Sequence, residues 1–192
     1  ANSTSTLDVD GGTIKLDGNY PVGTANVALG DTALDDGSLS GGYNTAVGAG
    51  SLSANTSGQQ NASFGAYSLD TNTTGSYNAG FGQSSLGSNT TGSYNTSLGR
   101  GTLSSNTTAS GNSAVGYNAL TANTTGEFNT GLGREALEAN TTANDNTAVG
   151  FRALTSNTTG ATNVAVGREA LGSNTTASEN TAVGYAALGA NT

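Results

Sequence analysis

Large apolar residues recur in this chain at two fixed places in a repeating unit. The clearest copy, residues 146–162, reads N-T-A-V-G-x-x-A-L-x-x-N-T-T-G-x-x. Numbered from its opening Asn, position 4 is always a large apolar residue and position 9 is always Leu. The opening Asn recurs without insertion at Asn44, Asn61, Asn78, Asn95, Asn112, Asn129, Asn146, Asn163 and Asn180, after a looser copy from Asn26. A fixed period of this size indicates stacked structural repeats.

The other constant positions decide between helix and strand. Position 5 is Gly and position 12 is Asn in every copy, while position 3 is always Ala, Ser or Gly. Repeated Gly, Asn and Thr disfavour a helical repeat, whereas Thr, Val and Phe suit strands and Gly and Asn suit corners. The sequence therefore predicts two short strands in each unit, near positions 1–5 and 8–14.

These strands predict an all-β fold, a parallel β-solenoid or β-roll of about ten 17-residue coils. Like residues would stack at about 4.7–4.9 Å, which gives a rod about 45–50 Å long. We assign residues 26–192 to this repeat shaft, which stops within its last repeat. We therefore interpret the chain as a fragment of a longer shaft.

Residues 1–25 are assigned to an N-terminal leader or cap. Leu7, Val9, Ile14 and Leu16 alternate with polar residues on both sides of a turn at 10–12, so they predict two short strands with one apolar face. Such an element would cover the open end of the solenoid, where strand edges would otherwise stay unpaired.

Positions 3 and 4 together predict self-association. Neighbouring strand residues point to opposite faces, and both of these columns are uncharged. We expect position 4 to fill the interior and the small position-3 column to lie near the axis of a parallel homotrimer, intertwined or side by side. A thin coil with two large apolar side chains is too poor in buried area to offset its ordering entropy alone.

Composition excludes several classes of function. The net charge of −8, with only five basic residues, disfavours nucleic acid as a partner. No apolar run is long enough for membrane insertion. The N-terminus shows no signal-peptide pattern, which fits a mature or trimmed chain.

No residue is assigned a catalytic, cofactor-binding or metal-binding role, and an enzyme is the least favoured class. The chain lacks Cys and His, so thiolate metal sites and the commonest general base are missing. The glycines follow the repeat and lack the Lys of a phosphate-binding loop. Asp8, Asp10 and Asp17 leave an ion site open as an alternative to a solvated hairpin.

Three columns raise further alternatives. The position-12 Asn residues open N-T-[ST] triplets, which are either glycosylation acceptors or, as we prefer, stacked corner residues. Thr at position 13 would form one outward file, with position 14 pointing inward, which leaves ice binding as a minor hypothesis. Variable positions 6, 7, 10, 16 and 17 supply solvated corners, chain contacts or a binding face: Tyr67, Tyr77, Tyr94, Arg100, Tyr117, Phe128, Glu135, Phe151, Arg152 and Tyr185.

The unit Asn-Thr-Ala-Val-Gly, Ala-Leu, Asn-Thr-Thr-Gly resembles repeats of phage tail-fibre proteins and their prophage-like bacterial relatives, and residues 7–16 resemble the segment that precedes them. Its Ala-Val-Gly core, as in 114–116, is also similar to the β-roll heads of trimeric autotransporter adhesins, although the period here is longer. The resemblance implies the shaft of a virion fibre. Such a shaft is a rigid spacer, and a tip outside this chain would bind the glycan or receptor of the host. The alternative is a bacterial surface adhesin or extracellular filament.

Overall fold

A computed structural model of the protein describes residues 25–190, and these residues form a parallel β-solenoid. Each coil contributes one three-residue strand at positions 2–4, and the ten strands form one sheet in chain order. They are β1 Val27–Leu29, β2 Thr45–Val47, β3 Ala62–Phe64, β4 Ala79–Phe81, β5 Thr96–Leu98, β6 Ser113–Val115, β7 Thr130–Leu132, β8 Thr147–Val149, β9 Val164–Val166 and β10 Thr181–Val183. From β2 onward each strand residue pairs with its equivalent in the next coil, as Ala148 pairs with Ala165. The predicted fold class and the vertical alignment of equivalent residues are confirmed.

The second strand predicted at positions 8–14 is wrong. Positions 6–11 form turns, because residues at positions 7 and 9, such as Arg152 and Leu154, have φ values of 55° and 50°. Left-handed residues bend the chain too sharply for an extended strand. Hydrogen bonds between coils nevertheless continue through this segment, for example from Leu154 N to Ala170 O at 3.0 Å.

Glycine at position 5 makes the corner that ends each strand. Gly116 has a φ of 123°, and a Cβ added there would lie 2.7 Å from the carbonyl carbon and oxygen of Gly133 in the next coil. Both the backbone conformation and the approach of the neighbouring coil therefore require Gly.

The interior is built from position 9 and position 3. The Leu of each complete coil from Leu52 to Leu171 is fully buried, and so is position 3 in coils such as that of Ala148. At Gly131, an added Cβ would lie only 3.4 Å from the Leu120 side chain. The expectation that position 4 fills the interior is thus wrong: Leu at position 9 fills it, only a small residue fits opposite, and position 4 must point outward.

Two asparagine ladders complete the interior. At position 12, Asn123 Nδ2 donates to Asn106 Oδ1 in the preceding coil (3.0 Å) and to Gly126 O in its own coil (2.9 Å). At position 1, Asn129 Oδ1 accepts from the backbone N of Asn146 at 3.0 Å. The preferred explanation of these asparagines, stacking along the ladder, is confirmed. Among residues 25–190, every buried side-chain nitrogen and oxygen has a hydrogen-bond partner.

The leader or cap, with Leu7, Val9, Ile14 and Leu16 and the open ion site at Asp8, Asp10 and Asp17, lies outside the described residues. Those predictions stay untested.

Candidate functional site

The outward side of the sheet, formed by positions 2 and 4 and called here the outer face, is a long uncharged surface. Position 4 presents a large apolar side chain in every coil, and Leu98 and Leu132 are 49% and 45% exposed. Phe64 and Phe81 stack with their ring centroids 4.9 Å apart. Position 2 adds Thr, Ala, Ser or Val. Large exposed apolar patches are typical of interaction surfaces, so the outer face is a candidate contact surface.

The small position-3 column cannot form a contact with another chain. Its members lie inside the coil: Ala46, Ser63, Ser97, Ala114, Ala148 and Ala165 have no exposed surface. The expected trimer axis along position 3 is therefore wrong, since a partner can reach only the residues on either side of that column.

Position 6 carries an alternation of arginines and aromatic rings, called here the arginine–aromatic ladder: Arg100, Tyr117, Arg134, Phe151, Arg168 and Tyr185. Arg134 Cζ lies 5.9 Å from the ring centroid of Tyr117 and 5.5 Å from that of Phe151. Arg168 Cζ lies 5.5 Å from Phe151 and 5.6 Å from Tyr185. Five cation–π contacts thus hold three guanidinium groups at fixed heights along the rod.

Sequence reasoning found only part of this ladder. It singled out Arg100, Tyr117, Phe151 and Tyr185 as variable surface residues but missed Arg134 and Arg168. The signal was available, because the alternation keeps the period of the repeat and each coil rises by one strand spacing. Residues of one column therefore had to be neighbours in space.

Position 7, next to the ladder, supplies a short row of ion pairs. Glu135 contacts Arg134 at 2.7 Å and Arg152 at 3.6 Å, and Glu169 contacts Arg168 at 3.2 Å. The arginine side chains are half to three-fifths exposed, so these pairs add little stability. All the arginines of residues 25–190 lie at positions 6 and 7.

Position 17, on the other side of the strand, carries exposed rings and carboxylates. Tyr77 and Tyr94 stack at 4.9 Å between ring centroids, and Tyr67 at position 7 is a further exposed ring. Phe128 covers the place where a side chain at Gly111 would lie. Further along the rod the same edge is acidic, with Glu127, Asp145 and Glu179 at positions 16 and 17.

The position-12 asparagines are inaccessible in the folded coil. Each of the eight that begin an N-T-[ST] triplet is fully buried: Asn55, Asn72, Asn89, Asn106, Asn123, Asn140, Asn157 and Asn174. Their side-chain amides donate hydrogen bonds within the position-12 asparagine ladder and to the position-15 carbonyl. A transferase cannot reach these nitrogens unless the coil is unfolded.

The threonine files differ from the expectation. Position 13 is mostly half-buried, and its hydroxyl donates to the next coil, as Thr90 Oγ1 does to Thr107 O at 3.0 Å. Position 14 was expected to point inward, but Thr91 and its equivalents are exposed. Turn geometry replaces the strand here, so the two residues do not alternate between faces.

Other chemistry is sparse in residues 25–190. No group of three or more acidic, His or Cys side chains could hold a metal ion there, and no helix there has the length and apolarity of a membrane span. Hydrogen bonds from the hydroxyl and backbone N of Ser38 lower the pKa of Asp36. An open groove of about 400 Å³ runs beside Arg152 and Glu169.

The candidate functional surfaces are thus the outer face, the charged positions 6 and 7 that follow the strand, and the charged positions 16 and 17 that precede it. No protein-family model matches the chain, and no curated protein or solved structure is significantly similar to it.

Proposed function

We propose that the chain is the shaft of a fibre, a stiff spacer whose length is set by the number of coils. The observation that carries this proposal is the unbroken pair of asparagine ladders through the stack, exemplified by Asn106, Asn123 and Asn140. Buried Leu and Ala side chains fill the interior beside the asparagine ladders, and equivalent coils repeat the same contacts along the rod. A spacer needs this stiffness, whereas an enzyme needs a concave site with convergent polar groups.

The resemblance to tail-fibre repeats favours a virion appendage that carries a host-attachment tip. A bacterial surface adhesin or extracellular filament subunit is the alternative, because both use a stiff shaft. Electron microscopy of the producing particles and cells with a gold-labelled antibody against the coils tests the location. Gold along virion fibres supports the first assignment, gold on the cell envelope supports the second, and label confined to the cell interior contradicts both.

The shaft associates with itself as a homotrimer through the outer face. Contact through the outer face replaces the expected trimer axis along position 3, since position 4 supplies the apolar surface that remains exposed. Sedimentation velocity of the wild type and of the variant L98D/L132D tests it, with T91D/T125D at exposed position 14 as the matched control. The outer-face variant is expected to be monomeric and the control trimeric. A folded wild-type monomer at micromolar concentration would refute self-association.

Ice binding is the second candidate, favoured by the exposure of position 14 beside the position-13 file. Thr91, Thr108, Thr125, Thr142 and Thr159 face solvent along one side of the rod. Thermal hysteresis by the purified protein, abolished by replacing these residues with Lys, would support it. An activity equal to that of buffer removes it.

A further inference from the structure

The outer face lies between two edges of opposite charge. Positions 6 and 7 follow the strand, and in the regular coils their four arginines and two glutamates give this cationic edge a net charge of +2. Positions 16 and 17 precede the next strand, and Glu127, Asp145 and Glu179 give this anionic edge a net charge of −3. The strand positions between them carry no charge.

The opposite charges are equally spaced along the rod, although Asp145 borders β8 and Arg134 borders β7. Arg134 and Asp145 belong to the coil that begins at Asn129, while Arg168 and Glu179 belong to the coil that begins at Asn163. The spacing between the two arginines, two coils or about 9.5 Å, therefore matches the spacing between the two acids. In the coils that begin at Asn44, Asn61 and Asn78, the same positions carry only Ala, Gly, Gln, Ser or Tyr, none of them charged.

The charged groups are free to reach a neighbouring chain. The Arg134 and Arg168 side chains are 61% and 58% exposed, and the ladder rings on either side hold them in place. Each already contacts one glutamate, but a guanidinium has five N–H donors and one carboxylate does not use them all. Within residues 25–190, Asp145 and Glu179 form no ion pair and are exposed.

We propose that these edges align a second copy of the chain in parallel and in register, so that Arg134 and Arg168 of one copy reach across about one strand spacing to Asp145 and Glu179 of the next. When two outer faces meet with the rods pointing the same way, the cationic edge of one copy lies against the anionic edge of the other. Antiparallel rods would place like edges together, and like charges across an interface are unfavourable. The edge contact joins two different surfaces, and copies that stay in register are related by rotation without a shift along the rod, which is the condition for a closed ring.

This inference rests on the self-association proposed above, and it concerns which residues direct that association. Three variants test it: R134E/R168E, which makes both edges acidic; D145R/E179R, which makes both edges basic; and the four-site variant that exchanges the charges. Circular dichroism checks folding, and sedimentation equilibrium at low and high salt measures association.

Each two-site variant is expected to weaken association by about tenfold or more at low salt, because attraction becomes repulsion at two exposed pairs in every interface. The four-site variant is expected to recover association to within about threefold of wild type, although its cation–π contacts stay lost. That recovery separates edge pairing from damage to the ladder. The milder variant R134Q/R168Q, which removes the charge but keeps a polar side chain, is expected to show a smaller loss of the same sign.

Two results would overturn the proposal while leaving the fibre shaft intact: two-site variants that associate like wild type, or a four-site variant that fails to recover. Unchanged association of both two-site variants is what an antiparallel contact predicts. A wild-type protein that is monomeric at every concentration would remove the self-association itself.

Discussion

Removing one amide from the position-12 ladder tests whether the asparagines stabilise the stack. Asn123 sits in the middle of the ladder and is fully buried. Its Nδ2 donates to Asn106 Oδ1 and Gly126 O, and its Oδ1 accepts from Asn140 Nδ2 at 2.9 Å. The substitution Asn123→Ala removes all three hydrogen bonds at once.

The expected cost follows from what is left behind. Gly126 O keeps a second donor, Asn112 Nδ2, so it remains paired. Asn106 Oδ1 loses its donor and Asn140 loses one of its two acceptors. Each buried unpaired group costs about 1–3 kcal/mol. Partial relaxation of the coils brings the expected loss in the free energy of unfolding to about 2–4 kcal/mol.

Urea unfolding followed by far-ultraviolet circular dichroism measures this loss. The control is Thr125→Ala in the same coil, an exposed position 14, which should change stability by less than about 0.5 kcal/mol. Asn123→Asp keeps the shape but sets an acceptor against the Asn106 and Gly126 oxygens, so it should cost at least as much as Ala at neutral pH. Equal stability of N123A and T125A would refute the reasoning.

Three further substitutions probe the corners and the interior. Gly116→Ala should destabilise the protein by about 3 kcal/mol or more, because the φ of Gly116 is 123° and the new Cβ would lie 2.7 Å from the backbone of the next coil. Gly87→Ala, whose Cβ would have no contact closer than 3.4 Å, should be tolerated. Similar melting temperatures for the two variants would contradict this. Thr162→Gly should stabilise the protein by about 0.5–1 kcal/mol, since Thr162 is exposed at a left-handed φ of 59°. Thr159→Gly, at a residue with negative φ, should instead destabilise it. Chemical denaturation measures whether the free energy of unfolding rises or falls in each variant. Leu120→Ala should cost about 2–5 kcal/mol from a fully buried site, a loss that differential scanning calorimetry would show as a lower transition temperature.

The period was enough to predict the stack. Equivalent residues at a fixed spacing can lie above one another only if every coil has the same path, so Ala148 beside Ala165 and Asn123 beside Asn106 followed directly. Gly116 was likewise expected at a corner, because Gly is the residue that accepts positive φ without strain.

The path within one coil was not predictable in the same way. Leu154 adopts a left-handed φ of 50°, a conformation that is costly for a branched L-residue, and propensity argued for a strand instead. Burial of its whole side chain offsets that cost, but burial depends on the neighbouring coils and not on local sequence. With this turn, position 3 lies inside the coil and position 4 outside, and a separate bend at positions 13 and 14 leaves position 14 exposed.

Contacts between residues at the same position of successive repeats could be predicted from the sequence. Arg134 and Phe151 occupy the same position in successive units, so their contact could be predicted once the strand spacing was known. That Arg134 and Asp145 both border the outer face could not be predicted, because position 4 was expected to point into the interior.

The stacking itself is tested most directly by distances between spin labels at exposed position 14. Labels at Thr74 and Thr142 span four coils and labels at Thr74 and Thr176 span six, so their backbones lie about 19 Å and about 29 Å apart. Electron–electron dipolar spectroscopy should give label-to-label distances that differ by about 10 Å between the two pairs. Dilution with unlabelled protein isolates the distances within one chain. Narrow distributions that grow by one strand spacing for every repeat unit are expected. Broad distributions, or a separation that does not increase from four coils to six, would contradict the solenoid.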